Sequence, residues 1–312
     1  MAQEKINLLV AVAQLYFFEG KSQQEIANIM GISRPTVSRL LAEAKELGIV
    51  HIEIRDPSNG VKELENLLIS QFGLRSCHIS QNLPTSESTT GAIGRLGAEL
   101  LLQILRPGMT IGITWGSTVQ RVVEAVTNPH VPGISVLQMV GSLGEGIPDV
   151  DGHEMARQLA SKLEANYRII SAPPIVPTKE DRDRLVKLRT IEKSLSEAEK
   201  AEVCLSGIGS LEDPDTSLHR SGHLSEEERL QLLRKGGVGH LIGRVIDAKG
   251  AELSDFNDRV VGVPLKTLRQ AERSICVATG SNKAKVVKAA LSGKLITDLV
   301  IDMTLAKQLI QK

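Results

Sequence analysis

Apolar positions recur at helical spacing through the first fifty residues, and the period then changes. Over residues 4–19, Ile6, Leu9, Val10, Ala13, Leu15 and Phe17 predict a largely buried helix. Gly20 stops it, in a place where a left-handed cap is favoured. Ser22, with Glu25 three residues on, has the spacing of a capping box and predicts a helix over SQQEIANIM. Gly31 and Ile32 form a tight turn. Ser33 is a second N-cap, and Pro35 sits in the first turn of RPTVSRLLAEAKELG, where a missing N–H costs nothing. Helix, short turn with Gly, helix is the helix-turn-helix arrangement, with Ile26, Ala27, Ile32, Val37, Leu40 and Leu41 as its core. After Gly48, IVHIEIR alternates apolar and polar positions like a strand or small wing, and DPSNG at 56–60 breaks the chain. The pattern therefore predicts one domain over 1–56 and another over 57–312.

From residue 61 a helix, VKELENLLISQFG, leads into short Val- and Ile-rich runs separated by amphipathic ones. Predicted strands are Ser76–Ser80, Thr110–Thr114, Ser135–Val140, Tyr167–Ala172, Val203–Ile208, Arg244–Asp247, Ser274–Ala278 and Leu299–Asp302. Predicted helices cover 90–105, 117–126, 153–164, 225–235, 282–291 and 303–310. Such alternation implies an α/β fold, a doubly wound and mostly parallel sheet covered on both faces. The polar stretch Pro177–Ala201 reads as a solvated pair of surface helices.

Composition changes this picture little. Hydrophobic residues make up 41% and charged residues 24%, as in ordinary globular chains. No apolar run reaches the roughly 18–20 residues that span a bilayer, and the opening stretch reads as a folded helix rather than a signal peptide. Cys77, Cys204 and Cys276 are far apart and odd in number, so buried free thiols and a cytoplasmic location are expected.

Charge is more restrictive. The chain has 37 basic and 37 acidic side chains. Its first 56 residues carry six Lys/Arg (Lys5, Lys21, Arg34, Arg39, Lys45, Arg55) against seven Asp/Glu (Glu4, Glu19, Glu25, Glu43, Glu46, Glu53, Asp56). Bulk positive charge thus gives no argument for nucleic acid, and a DNA reading must rest on geometry. The second helix of the pair offers that geometry. Ser33, Arg34, Thr36, Ser38 and Arg39 cluster near its start, where a recognition helix meets base edges and phosphates. Gln23 and Gln24, opening the first helix, suit phosphate contact. The alternative is an ordinary helical hairpin with a polar outer face.

In open parallel sheets ligands bind beyond the carboxyl ends of the strands. Four predicted strand ends run into glycines beside small polar residues: Trp115-Gly116-Ser117-Thr118, Gly141-Ser142-Leu143-Gly144, Ile208-Gly209-Ser210 and Gly280-Ser281-Asn282-Lys283. Glycine and hydroxyl residues at a helix start suit an oxyanion, and Lys283 adds a positive charge. Arg220, in His219-Arg220-Ser221-Gly222-His223, is a candidate lid or phosphate contact. Asp247 in VIDAKG could accept sugar hydroxyls, or simply form a turn before Gly250. His219 and His223 lack a third ligand at suitable spacing, and no metal or cofactor is expected. No Walker motif, G-x-S-x-G elbow or complete G-x-G-x-x-G is present.

Taken together, these residues carry a family likeness. SQQEIANIMGISRPTVSRLLAEAKELGIVHIEIRDP resembles the DNA-binding domain of the SorC family of sugar-responsive transcription regulators. ITWGSTV, VGSLG, LSGIGSL, HRSGHLS, VIDAKG and ATGSNKAK resemble its effector domain, closest to the deoxyribonucleoside regulator branch. The resemblance implies an effector domain with the fold of sugar-phosphate isomerases and CoA transferases, sensing rather than converting its ligand. It implies a phosphate pocket at Gly116, Ser117, Thr118 and Lys283, with Asp247 on the sugar, and a homodimer or homotetramer assembled through this domain. In the branch that responds to deoxyribose 5-phosphate, a lysine before the Gly turn is associated with a Schiff base. Leu137-Gln138-Met139-Val140-Gly141-Ser142 has none here, so covalent capture is not expected at that point. The expected partners are an operator in duplex DNA and a phosphorylated sugar, with no membrane. The competing readings are a sugar-phosphate isomerase-like enzyme with an N-terminal interaction module, Asp247 being its one placeable carboxylate, and a plain protein-interaction module.

Overall fold

A computed structural model describes residues 2–50, 60–127, 130–142 and 151–311. The chain forms two units, Met1–Asn59 and Gly60–Lys312, each with its own core.

The first unit contains helices α1 (Ala2–Phe17), α2 (Gln23–Met30) and α3 (Arg34–Glu46). Leu9, Val12 and Ala13 of α1 are buried, at i, i+3 and i+4 spacing; in the same unit α2 buries Ile26 and Ala27, and α3 buries Val37, Leu40, Leu41 and Ala44. The expectation of a largely buried α1 is corrected: Ile6 and Phe17 are exposed. Two short partner helices can cover only one stripe of a sixteen-residue helix. The start signals act as the residue types demand. Ser22 Oγ accepts from the Glu25 N–H and Glu25 Oε2 accepts from the Ser22 N–H, while Ser33 Oγ accepts from the Thr36 N–H. Ile49 and Val50 pack on this core; the rest of the expected wing, and the break at 56–60, fall mainly on 51–59, outside the described residues.

The second unit begins with α4 (Val61–Phe72), β1 (Ser76–Ser80), α5 (Ser86–Ile104), β2 (Thr110–Ile113), α6 (Ser117–Ala125) and β3 (Ser135–Gln138). It continues with α7 (Gly152–Lys162), β4 (Asn166–Arg168), α8 (Lys179–Leu185), α9 (Arg189–Ala198), β5 (Val203–Gly207), β6 (Gly209–Ser210), α10 (Ser217–Arg220) and α11 (Glu226–Arg234). It closes with β7 (Gly237–Leu241), β8 (Arg244–Asp247), α12 (Ser254–Asn257), α13 (Lys266–Gln270), β9 (Arg273–Ala278), α14 (Ala284–Ser292), β10 (Asp298–Asp302) and α15 (Met303–Ile310).

Seven strands pair in parallel in the order β1-β10-β9-β5-β2-β3-β4. Their side chains alternate between two apolar layers, as the period-2 geometry of a strand requires. Val203 and Leu205 of β5 and Ile275 and Val277 of β9 face a layer shared with α5, α6 and α7. Cys204, Cys276 and Ala278 face the opposite layer, beneath α4, α9, α14 and α15. The three cysteines are free and buried, and burial pushes each thiol up to about 12. At the amino ends of β1, β9 and β10 the buried Asp298 accepts from Ser76 and from two nitrogens of Arg273, which ties those strands together away from their carboxyl ends.

One predicted strand belongs elsewhere. Arg244–Asp247 is β8 of a separate antiparallel sheet, β6-β7-β8, rather than a member of the parallel one. Its partner β7 contains Gly237, Gly239 and His240, a stretch for which no strand was predicted. Gly239 is required by close packing, since a Cβ there would lie 2.3 Å from the Gly209 carbonyl oxygen and 2.4 Å from Val286. Ile242 and Gly243, both at positive φ, make a two-residue hairpin turn.

Candidate functional site

The chain runs outward from β2 through β3 to β4, returns to β5 beside β2, and then runs outward the other way through β9 and β10. The strand order therefore reverses between β2 and β5, which is where open α/β sheets leave a crevice beyond their carboxyl ends. A cavity of about 170 Å³ opens there, well above the roughly 10–15 Å³ that holds one water.

Its walls come from five places. The end of β2 and the start of α6 supply Thr114, Trp115, Gly116, Ser117 and Thr118. β5 and β6 supply Gly207, Ile208, Gly209 and Ser210, and the next segment supplies Asp213, Asp215, Thr216, Ser217 and Arg220. The β7–β8 hairpin gives His240 and Ile242, and the turn after β9 gives Lys283.

Gly116 caps α6 at φ 139°, ψ 144°, a backbone conformation that a side chain would strain, and no side chain caps the helix in its place. The first N–H groups of α6 have no intrahelical partner and carry the positive end of the helix dipole. Across the cavity, Asp302 caps α15 through the Leu305 N–H and accepts from the Gly280 N–H at 2.6 Å. That fixes the turn from which Lys283 projects. Burial holds the Lys283 ammonium below the usual lysine range, against the opposing pull of Cys276, Asp213 and Asp302. His240 is 3% exposed, its Nε2, packed against Gly209, has no hydrogen-bond partner among the described residues, and burial together with Lys283 pushes its pKa down to about 4. It is a neutral imidazole. Two carboxylates complete the polar lining; Asp213 accepts from the Asp215 N–H and from Asn282 Nδ2. Chemically, cations and free N–H groups suit an oxyanion, and carboxylates with a neutral imidazole suit hydroxyls.

In the first unit, Arg34, Ser38 and Arg39 are exposed on the opening turns of α3, opposite its buried stripe. Ser33 and Thr36 are committed to the cap, with their hydroxyls 2.8 Å apart. Gln24 bonds Asn28 at 3.3 Å, and the Gln23 and Gln24 N–H groups, at the first two positions of α2, remain available.

Residues 56–311 match the family model described as "Putative sugar-binding domain", and residues 11–46 match "Sigma-70, region 4". The chain is 34% identical over 312 residues to the deoxyribonucleoside regulator of Bacillus subtilis, covering 99% of each. It is 30% identical over 307 residues to the transcriptional regulator LsrR of an Escherichia coli strain, covering 96% of this chain and 93% of that one. The crystal structure of the full-length sorbitol operon regulator SorC from Klebsiella pneumoniae superposes with a TM-score of 0.81 at 28% identity, over 98% of this chain and 99% of that one. The chain belongs to the SorC family of sugar-binding transcriptional regulators.

As a SorC-family regulator it has a helix-turn-helix DNA-binding region and a sugar-binding domain. Of the effector residues expected from sequence, the cavity brings together Gly116, Ser117, Thr118, Gly209, Arg220 and Lys283. Three expectations are corrected. Asp247 does not line the cavity: it sits at the far end of β8, where Oδ1 accepts from the Lys249 and Ala251 N–H groups and forms the turn. Gly141 and Ser142 do not line it either. A Cβ at Gly141 would lie 2.5 Å from the Ala172 and Pro173 carbonyl oxygens, so this glycine allows two chain segments to touch. The Ser142 hydroxyl accepts from Gln138, whose amide oxygen accepts from the Ile170 N–H, tying β3 to the segment after β4. Leu143 and Gly144 lie outside the described residues.

Sequence reasoning missed Asp213, Asp215, Thr216, Ser217 and His240. The run Asp213-Pro214-Asp215-Thr216-Ser217 carried a usable signal, since Asp-Pro and Thr-Ser ahead of a short helix are turn and cap residues immediately after a strand end. His240 had none, because its strand was unreadable. Among the described residues no cluster of three or more His, Cys, Asp or Glu could hold a metal ion, and no helix is long and apolar enough to cross a membrane.

Proposed function

We propose that this regulator binds operator DNA through α3 and that a phosphorylated sugar in the cavity controls the binding. The carrying observation is the cavity itself: the start of α6, with no side-chain cap, and Lys283 share one crevice at the reversal of the sheet, with Arg220 also in its wall. A dianionic phosphate satisfies these groups together, since dipole, ammonium and guanidinium all favour negative charge.

Relatives named for deoxyribonucleosides and for the sorbitol operon support a role in carbohydrate or nucleoside catabolism. Their names, as regulators, support sensing without turnover. A first unit without net positive charge gains DNA affinity by doubling its contacts, so a two-fold dimer, or a tetramer built from dimers, would read paired half-sites one helical turn or a multiple apart. Operator binding places its work in the cytoplasm. The sugar phosphate shifts the population between DNA-competent and incompetent assemblies, by no more than its affinities for them differ.

The test is calorimetric titration with ribose 5-phosphate, fructose 6-phosphate, glucose 6-phosphate and the corresponding free sugars, alongside gel-shift titration of an operator fragment. One phosphate ester should bind at least tenfold more tightly than its free sugar and alter the DNA affinity. Lys283→Met should abolish that preference; unchanged affinity in this variant would remove the cavity as the phosphate site.

A further inference from the structure

We infer that the outward apolar face of α1 docks on the same face of a second copy of this chain, pairing two first units antiparallel about a two-fold axis. The pairing deepens the operator-binding reading proposed above, but it is a property of the protein without DNA.

The sequence of α1 is apolar almost all round. No charge falls between Lys5 and Glu19, and from Ile6 to Phe18 only Asn7 and Gln14 are polar. A helix of that kind is ordinarily buried on every side. Its own unit buries one stripe, Leu9, Val12 and Ala13, with Leu8 and Leu15 at the margin. Ile6, Val10 and Phe17 lie beside that stripe, within about 40° of one another around the helix. Ile6 is 43% exposed, Phe17 37%, and Phe18, just past the helix, 89%. The exposed run Tyr16-Phe17-Phe18 stands in a chain with only 2% aromatic residues. Tyr16 packs edge-on against Phe17 with ring centroids 4.9 Å apart, and Lys45 lies 5.7 Å over the Phe17 ring, so this end of the face is ordered. Contiguous exposed apolar surface marks a docking site.

Two observations name the occupant. The face complements itself: antiparallel pairing centred between Ala11 and Val12 sets Ile6 against Phe17 of the partner subunit and Val10 against Ala13 of the partner subunit. Small residues then meet where two helices approach to about 8–10 Å. Lys5, which pairs with Glu43 of its own chain and stays exposed, falls near Glu19 of the partner subunit, and symmetry repeats that opposite-charge match. The second observation is the unit's own charge, six Lys/Arg against seven Asp/Glu with a single candidate reading helix, which is answered by a second copy of that helix. Pairing through α1 leaves that helix free to read. Lys45, above Phe17, is in the last turn of α3, whereas Arg34, Ser38 and Arg39 are exposed on its opening turns.

The experiment treats full-length Ile6→Cys, Phe17→Cys and the double variant with a short bismaleimide, without DNA. The native cysteines are buried and stay silent. Ile6 and Phe17 of one helix are roughly 16 Å apart, and so are like positions across the two-fold axis, whereas unlike positions face each other. The double variant should therefore give covalent dimers at least tenfold faster than either single variant. Equal rates in all three, or no covalent dimer from any, overturns the pairing. Should the double variant not fold, photoreactive benzoylphenylalanine in place of Phe18 decides. Covalent dimers joined near Lys5 and Ile6 support the pairing, while capture within one chain, or no capture, overturns it. Crosslinking without operator binding in a gel shift would leave the pairing standing and sink the operator reading; operator binding without crosslinking would do the reverse.

Discussion

Nε2 of His240 occupies the space that a side chain at Gly209 would need: a Cβ built there lies 2.2 Å from it. Two strands of the small antiparallel sheet are thereby locked, and the ring is held in the cavity wall. Gly209→Ala must displace either the ring or the backbone of β6. Overpacking of this kind costs about 1–3 kcal/mol. The variant should melt several degrees lower and bind sugar phosphate more weakly. Unchanged melting and affinity would mean that the ring moves freely.

The same buried imidazole links stability to pH. Its folded pKa of about 4 lies below the ordinary value of 6.5, so between these values the unfolded chain takes up a proton that the folded chain refuses. Stability is then complete above about pH 6.5 and declines as the pH falls toward 4, by up to roughly 3 kcal/mol from this residue. His240→Phe removes that contribution. Subtracting the variant's unfolding free energies from those of wild type across pH 4–8 isolates it from the carboxylates. A flat difference would contradict a neutral buried His240.

Asp247 makes a different prediction from the one its sequence context suggests. Its carboxylate holds the Lys249 and Ala251 N–H groups and is absent from the cavity. Asp247→Ala should lower stability by about 1–2 kcal/mol and leave the calorimetric affinity for sugar phosphate unchanged. A tenfold loss of affinity at unchanged stability would return this residue to the site.

Arg34 and Arg39 are exposed at the start of α3, away from its buried stripe of Val37, Leu40, Leu41 and Ala44. If α3 is the reading helix, as proposed, each contacts a guanine edge or a phosphate, an interaction of about 1–3 kcal/mol. Arg34→Ala and Arg39→Ala should each weaken operator binding by about 5- to 150-fold while circular dichroism and sugar-phosphate binding stay as in wild type. Gel-shift affinities equal to wild type in both variants would remove α3 as the reading helix.

The legible parts of this protein are those fixed by near neighbours in the chain. Ser22, Glu25, Gly31 and Ser33 act within a few residues of themselves, so the caps and the turn of the helix-turn-helix are written locally and appear as expected. The inner strands of the parallel sheet are buried on both faces, and their apolar runs are visible without knowing the order in which they pair, whereas the edge strand β4 (Asn166–Arg168) is largely exposed. Gly116 with Ser117 and Thr118, and Lys283, were readable because a helix start after a strand end has a local signature.

What the sequence could not determine depended on partners far along the chain. Asp247 and His240 both lie in a hairpin whose glycines look like a loop, and only packing against Gly209 and Val286 makes β7 a strand. That hairpin turns His240 into the cavity and Asp247 away from it, although either residue could serve a sugar by its chemistry. Likewise Gly141 and Gly116 follow neighbouring strands with similar sequences, yet one packs against backbone and the other opens a helix. The chain alone therefore specified the helix-turn-helix and most strands of the parallel sheet, but not β7 or the sheet to which β8 belongs. The tertiary fold decided which side chains line the cavity, because that depends on distances between residues that no local period or spacing encodes.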